Sequence, residues 1–134
     1  MRSTPPGARV ILVTGGSSGI GLATAHALHD RGDQLALLAR DRAALDSAAT
    51  DMPGALTFAC DVTDADAATD AIATPIESFD RLDAIVHAAQ VMAYGRSEDM
   101  PAATYNRVVD VPVHGTANLA RTALPLLRRK AATL

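Results

Sequence analysis

One cysteine is all the chain has: Cys60 cannot form a disulfide within the molecule, which fits a reducing compartment such as the cytoplasm. It closes an apolar run, where a small buried hydrophobe accounts for it better than a nucleophile. Aromatic residues are almost as scarce. Phe58, Phe79, Tyr94 and Tyr105 are the only four and there is no tryptophan, so Ala, Val, Leu and Ile must fill the core. Lysine occurs once, at Lys130, among twelve basic residues, and the formal net charge is -3. A nucleic-acid surface would need a clustered excess of Lys and Arg, and that class of partner is excluded. No apolar stretch approaches the length of a membrane span. Residues 1–9 carry two prolines and a glycine instead of the apolar segment of a secretory signal. Repeats, low-complexity tracts and internal linkers are also missing, and 134 residues fit one domain. A flexible start over 1–8 and a tail over 130–134 are expected to flank it.

What is present is an alternation of short apolar runs and amphipathic stretches. Val10 to Val13 is a short run rich in β-branched residues, stops at Gly15-Gly16, and predicts a buried strand. From Gly19 to Arg31 the positions Ile20, Ala23, Ala27 and Leu28 recur at helical spacing, with Gly32 as the stop. Leu35 to Ala39 predicts a second strand, Arg42 to Thr50 a helix, and Leu56 to Cys60 a third strand after the Pro53-Gly54 turn. Thr63 is expected to cap the next helix, with Asp64 and Asp66 in its first turn. That helix should reach about Phe79, with Pro75 ending or bending it. Ala84 to Ala89 predicts a fourth strand, Tyr94 to Pro101 a loop, and Ala102 to Arg129 a helix interrupted at Pro112 and Pro125. Strands alternating with helices imply a parallel sheet covered on both faces. Right-handed crossovers then wind it both ways, giving an α/β fold of Rossmann type.

The strongest local signal is Thr14-Gly15-Gly16-Ser17-Ser18-Gly19-Ile20-Gly21, between the first strand and the first helix. Gly15 can turn the chain off the strand, Gly19 removes a side chain where a ligand meets backbone, and Gly21 lets the helix approach the sheet. The N–H groups and dipole of the helix N-terminus favour an anion such as a diphosphate. A ligand-free turn can also carry glycines, but a strand before and a helix after are the context an anion site requires.

In its spacing of Thr, Gly, three residues, Gly, one residue and Gly, this segment resembles the cofactor motif of the short-chain dehydrogenase/reductase family. The resemblance runs from about Arg9 to Arg129 and covers that family's N-terminal, cofactor-binding half. It implies a nicotinamide dinucleotide cofactor and hydride transfer to or from a carbonyl or alcohol. Thr14, Gly15, Ser17, Ser18, Gly19, Ile20 and Gly21 would then cradle the diphosphate. Asp61, after the third strand, matches the family's Asp that accepts from the adenine amino group, with Val62 beside it; by itself Asp61 would be a solvated loop residue or a cap. His87-Ala88-Ala89-Gln90 stands where the family has Asn-Asn-Ala-Gly, and only Ala89 is kept. His87 either pairs with backbone as that Asn does or is a core histidine. Gln90 puts a side chain where the family brings backbone close to the ribose.

At the end of the second strand Ala39 occupies the place of the family's NAD-selective Asp, and Arg40 follows. The planar fork of an arginine suits a 2′-phosphate, so NADP is expected over NAD. Arg40 as a plain solvated residue, or Asp41 serving NAD, are the competing accounts. The family's catalytic Asn, Ser, Tyr and Lys find no match. Tyr94 is followed four residues on by Glu98, Tyr105 by Val109, and Lys130 is preceded by Leu126. Pro112 stands at the Asn position, and Asn106 and Asn118 are out of register. No catalytic or metal-ligating residue is therefore expected. In the family's strand order, 3-2-1-4-5-6-7, strand four pairs with strand five. A chain truncated after the helix that follows strand four should expose that edge and associate, as a homo-oligomer or with a chain completing the sheet. The helix from Ala102, resembling the family's subunit-contact helix, would add apolar surface. The alternative to an enzyme is a non-catalytic nucleotide-binding or interaction module.

Overall fold

The computed structural model describes residues 2–131, with side chains to residue 129. The order is β1 (Val10–Thr14), α1 (Gly19–Asp30), β2 (Gln34–Ala39), α2 (Arg42–Thr50), β3 (Leu56–Ala59), α3 (Ala65–Phe79), β4 (Ala84–His87) and α4 (Ala102–Ala131), with a 3-10 turn at Ser97–Asp99. The four strands form one parallel sheet in the order β3-β2-β1-β4. This is the doubly wound α/β arrangement the sequence predicts.

Each strand alternates its side chains between two cores, as a period of two requires. Ile11 and Val13 of β1 join Leu35 and Leu37 of β2 against α1 and α2, with Ala25, Leu45 and Met52. Val10 and Leu12 join Ala36 and Leu38 on the other face, against Ala68, Ile72 and Phe79 of α3 and Leu119 and Ala123 of α4. With both faces covered, β1 is buried along its whole length, and its sequence is apolar at every position but the last. The chain steps from β1 outward to β2 and β3, then returns to β1's other side with β4. The carboxyl ends of β1 and β4 thus diverge at a switch point, where doubly wound sheets open a crevice. Thr14, Leu38 and His87 stand level there.

Several expected boundaries shift. The N-cap of α3 is Asp64, whose carboxylate accepts from the amides of Asp66 and Ala67, because Thr63 is turned back onto Asp61. Neither Pro75, Pro112 nor Pro125 ends its helix. A proline inside a helix costs roughly 3 kcal/mol, but Pro112 and Pro125 lie on exposed positions of α4, where solvent can take the freed carbonyls. The opposite stripe, Val111, Gly115, Asn118, Leu119 and Ala123, is buried, and its packing offsets that cost. β4 ends at His87 instead of Ala89 because Ala88 and Ala89 turn to bond Thr14: the Ala88 amide donates to its carbonyl at 3.2 Å and the Ala89 amide to its hydroxyl at 3.2 Å. Near the start, Arg2 donates its amide to the Ser78 carbonyl and its guanidinium to the Gly54 carbonyl. Lys130 and Ala131, expected in a tail, continue α4; the rest of that tail lies outside the described residues.

Candidate functional site

Along the carboxyl ends of the strands runs an open cleft of about 790 Å³. Its floor begins at the glycine loop. Gly15 has φ +67° and a Cβ there would lie 2.9 Å from the Ala89 nitrogen, so glycine is needed both for the turn and for the approach to β4. At Gly21 the constraint is harsher: a Cβ would come within 2.1 Å of the Gly15 carbonyl oxygen. Gly19 differs again. Its φ is +54°, yet nothing lies within 4 Å of a Cβ built there. What it keeps clear is the space of the cleft.

The N-terminus of α1 opens onto this space without a cap. Ser18 is extended and its side chain makes no cap hydrogen bond, and the first turn holds no acidic residue. The first helical bond is donated by Leu22 to the Ser18 carbonyl at 3.1 Å. The amides of Gly19, Ile20 and Gly21 precede it and are the orphan donors of a helix start, at the positive end of the dipole. Ile20 beside them is 78% exposed, an unusual position for an isoleucine that no protein group covers.

Ser17, Ser18, Arg40, Asp61, Val62, His87, Ala88 and Ala89 line the same cleft with Gly15, Gly19, Ile20 and Gly21. Thr14 is the exception among the expected residues. It is fully buried beneath the cleft, with its hydroxyl 2.6 Å from His87 Nδ1, and it ties β1 to the end of β4. That bond leaves His87 Nε2 buried with no hydrogen-bond partner. Burial pushes the imidazole below its ordinary value, opposed in part by the Val111 backbone. Cys60 is also buried at the cleft, and burial followed by the charges of Asp61, Asp64 and Asp70 pushes its thiol up to about 11.

At the β2 end, Asp41 caps α2 by accepting from the Ala44 amide at 3.1 Å. Arg42 donates to the hydroxyl of Thr57 at 3.2 Å. Arg40, which precedes both, makes no hydrogen bond or ion pair among the described residues. At the far wall Asp61 accepts from the Thr63 amide at 3.0 Å and hydroxyl at 2.7 Å through Oδ1, and from Arg107 at 3.0 Å through Oδ2. Its carboxyl lies below the usual range: burial works against that, and the bonds from Thr63 and Arg107 outweigh it.

The family model for short chain dehydrogenases matches residues 9–133. The chain belongs to the short-chain dehydrogenase family. L-fucose dehydrogenase of Bos taurus is 30% identical over 122 residues, which cover 90% of this chain and 45% of the relative. 2-(S)-hydroxypropyl-CoM dehydrogenase 3 of Xanthobacter autotrophicus is 34% identical over 130 residues, covering 93% and 51%. The chain thus spans about half the length of the curated relatives it matches. Among solved structures, a short-chain dehydrogenase from Streptomyces avermitilis superposes with a TM-score of 0.84 at 32% identity, over 94% of this chain and 47% of that one. The 3-ketoacyl-(acyl-carrier-protein) reductase from Brucella melitensis, crystallised with NADH, gives 0.86 over 93% and 52%, and at 24% identity that is a likeness of fold.

Three residues of this chain escape a reading of its local motifs. Arg107 lines the cleft from α4. Asn118 is buried and donates to the Val62 carbonyl at 2.9 Å, while its own oxygen accepts from Arg121. Gly115 lets α4 close on the same loop, since a Cβ there would meet Val62 Cγ2 at 2.7 Å. A four-residue spacing from Arg107 through Val111 and Gly115 to Leu119 is the signal in the sequence: a charged residue heads a stripe of small and apolar ones.

Proposed function

We propose that this chain binds the adenosine end of NADP(H) and forms the cofactor-binding half of an oxidoreductase that moves hydride between the nicotinamide and a carbonyl or alcohol. The observation that carries it is the uncapped start of α1, facing a cleft that has an unpaired arginine at one end and an ionised carboxylate at the other. A diphosphate fits the amides of Gly19, Ile20 and Gly21, a 2′-phosphate fits Arg40, and an adenine amino group fits Asp61. The bound dinucleotide would supply the hydride; the protein's own residues hold and orient it. NAD is the weaker reading, although the Brucella melitensis reductase was crystallised with NADH. Its ribose hydroxyls call for a carboxylate near the end of β2, and the one there, Asp41, is engaged in capping α2. Adenosine 2′,5′-bisphosphate is expected to bind about ten-fold tighter than AMP, the scale of one charge-assisted contact. Arg40→Ala should bring the two together with AMP affinity unchanged. Equal affinities in the unaltered chain, read by calorimetry, would sink the NADP assignment.

The second reading is an association module, and β4 favours it. Among the described residues β4 is one of the two sheet edges, β3 being the other, and Ala84-Ile85-Val86-His87 carries neither formal charge nor proline, the usual guards of an edge. Ile85 and Val86 are only partly buried, against opposite cores. On α4, Tyr105, Val109 and Val113 are exposed at four-residue spacing. The 134-residue polypeptide is therefore expected to sediment as a dimer or larger species at micromolar concentration. A cooperatively folded monomer with β4 amides protected from exchange is the result that removes this reading. With Cys60 free and no disulfide among the described residues, a reducing setting such as the cytoplasm is the one we propose. No helix of the described residues is long and apolar enough to cross a membrane.

A further inference from the structure

We propose that Arg107 is a positioning residue of the nucleotide site, and that by fixing the Asp61 carboxylate it makes the site selective for a 6-aminopurine over a 6-oxopurine. The inference rests on the reading that the cleft takes the adenosine end of a dinucleotide. It adds a residue from α4, far in sequence from every glycine-loop and strand-end group.

The geometry is a closed ring of three side chains. Arg107 Nη2 donates to Asp61 Oδ2 at 3.0 Å, its Nη1 reaches the Thr63 hydroxyl at 3.4 Å, and that hydroxyl donates to Asp61 Oδ1 at 2.7 Å. Each carboxylate oxygen is thus held by one neighbour, and rotation about the Cβ–Cγ bond would break a contact on both sides. The pair is not withdrawn from ligand. Asp61 keeps 38% of its side chain exposed and Arg107 28%, and both line the cleft. A carboxylate oxygen has two lone-pair directions, so Oδ2 can accept from Arg107 and still offer one to the cleft. The arrangement presents a fixed acceptor. An exocyclic amino group can donate to it; an exocyclic oxygen in the same place sets two acceptors against each other and leaves that lone pair of the carboxylate without a donor, which is how polar groups in a site reject the wrong ligand. Arginine suits this ring better than lysine, because only a planar fork reaches the carboxylate and the hydroxyl together.

The test measures binding of ADP and IDP by calorimetry to the 134-residue chain and to Arg107→Met, Arg107→Lys and Asp61→Asn. The unaltered chain is expected to prefer ADP by about ten-fold, the scale of one hydrogen bond to a charged group. In Arg107→Met the preference should fall to about two-fold, as the carboxylate loses its preorganisation, and Arg107→Lys should lie between. Asp61→Asn, which can turn an amide N–H₂ toward the oxygen, should abolish or reverse it. The separate gain from a 2′-phosphate, which belongs to Arg40, should survive in Arg107→Met, a result that general collapse of the site would not give. If ADP is preferred in the unaltered chain and equally so in Arg107→Met or Arg107→Lys, Arg107 has only a structural role and the proposal falls, with the nucleotide site standing. If neither nucleotide binds the unaltered chain, the nucleotide site and this proposal fall together.

Discussion

Gly21→Ala is expected to remove about 3 kcal/mol of stability, the upper end of what overpacking costs, and nucleotide binding with it. The added methyl would sit 2.1 Å from the Gly15 carbonyl oxygen and 2.6 Å from its carbon. Both are backbone atoms of a turn already fixed by φ +67° at Gly15, and no rotamer change can relieve the contact. Either α1 moves off the sheet or the loop opens. Each removes the alignment of the Gly19, Ile20 and Gly21 amides with the cleft. Gly19→Ala is the informative comparison. It meets no atom within 4 Å but holds φ +54°, which costs an L-residue roughly 1–2 kcal/mol, and its methyl enters the ligand's space. It should fold with a modest loss and bind nucleotide poorly. Urea unfolding of both variants, alongside calorimetry with ADP, separates a collapsed loop from a blocked one. A Gly21→Ala chain within about 0.5 kcal/mol of the parent, the range of a neutral surface change, would show that the loop has slack the geometry denies.

The glycine spacing was legible because its causes are local. The turn, the strand that feeds it and the helix that leaves it occupy twelve consecutive residues, Val10 to Gly21. The same holds for Arg40 and Asp61: each lies within two residues of a strand's end, and in a doubly wound sheet the carboxyl ends of neighbouring strands meet at one crevice. Thr14 belonged to the motif yet turned out to serve from beneath, since the last residue of a buried strand points its hydroxyl to the neighbouring strand end and not to the ligand. Arg107 and Asn118 were out of reach for a different reason. Their partners Asp61 and Val62 lie 46 and 56 residues away, and which face of α4 meets that loop depends on how a long helix continues through two prolines. Pattern reading expects breaks at Pro112 and Pro125. A break would rotate the later turns and lose the register that brings Asn118 onto the Val62 carbonyl.

The chemistry of hydride transfer asks for more than a cofactor cleft, and the 134-residue polypeptide alone is expected to show no NADPH oxidation above background with any ketone or aldehyde. A placed general acid or base contributes roughly 10²–10⁴-fold, and each candidate in the described residues is engaged elsewhere or held in the wrong form. Tyr105 shares its hydroxyl with Ser97, Tyr94 is exposed with its hydroxyl near the Met92 sulfur, and neither lines the cleft. His87 does line it, but Nδ1 faces Thr14, Nε2 is buried, and burial disfavours the charged ring, so the imidazole serves the strand ends and does not present an acid to a substrate. Cys60, with its thiol pushed up to about 11, stays protonated near neutrality. Pro112, expected from the resemblance to stand where the family has its asparagine, has no side-chain amide to offer. Cofactor binding and turnover are therefore expected to separate in the 134-residue polypeptide. The decisive assay follows NADPH absorbance against a broad carbonyl panel at several protein concentrations, with Gly19→Trp as the blocked-cleft control. Turnover that scales with the parent chain and disappears in Gly19→Trp would mean that one of these groups does deliver a proton at the cleft, and His87, the only imidazole lining it, would be the first residue to replace.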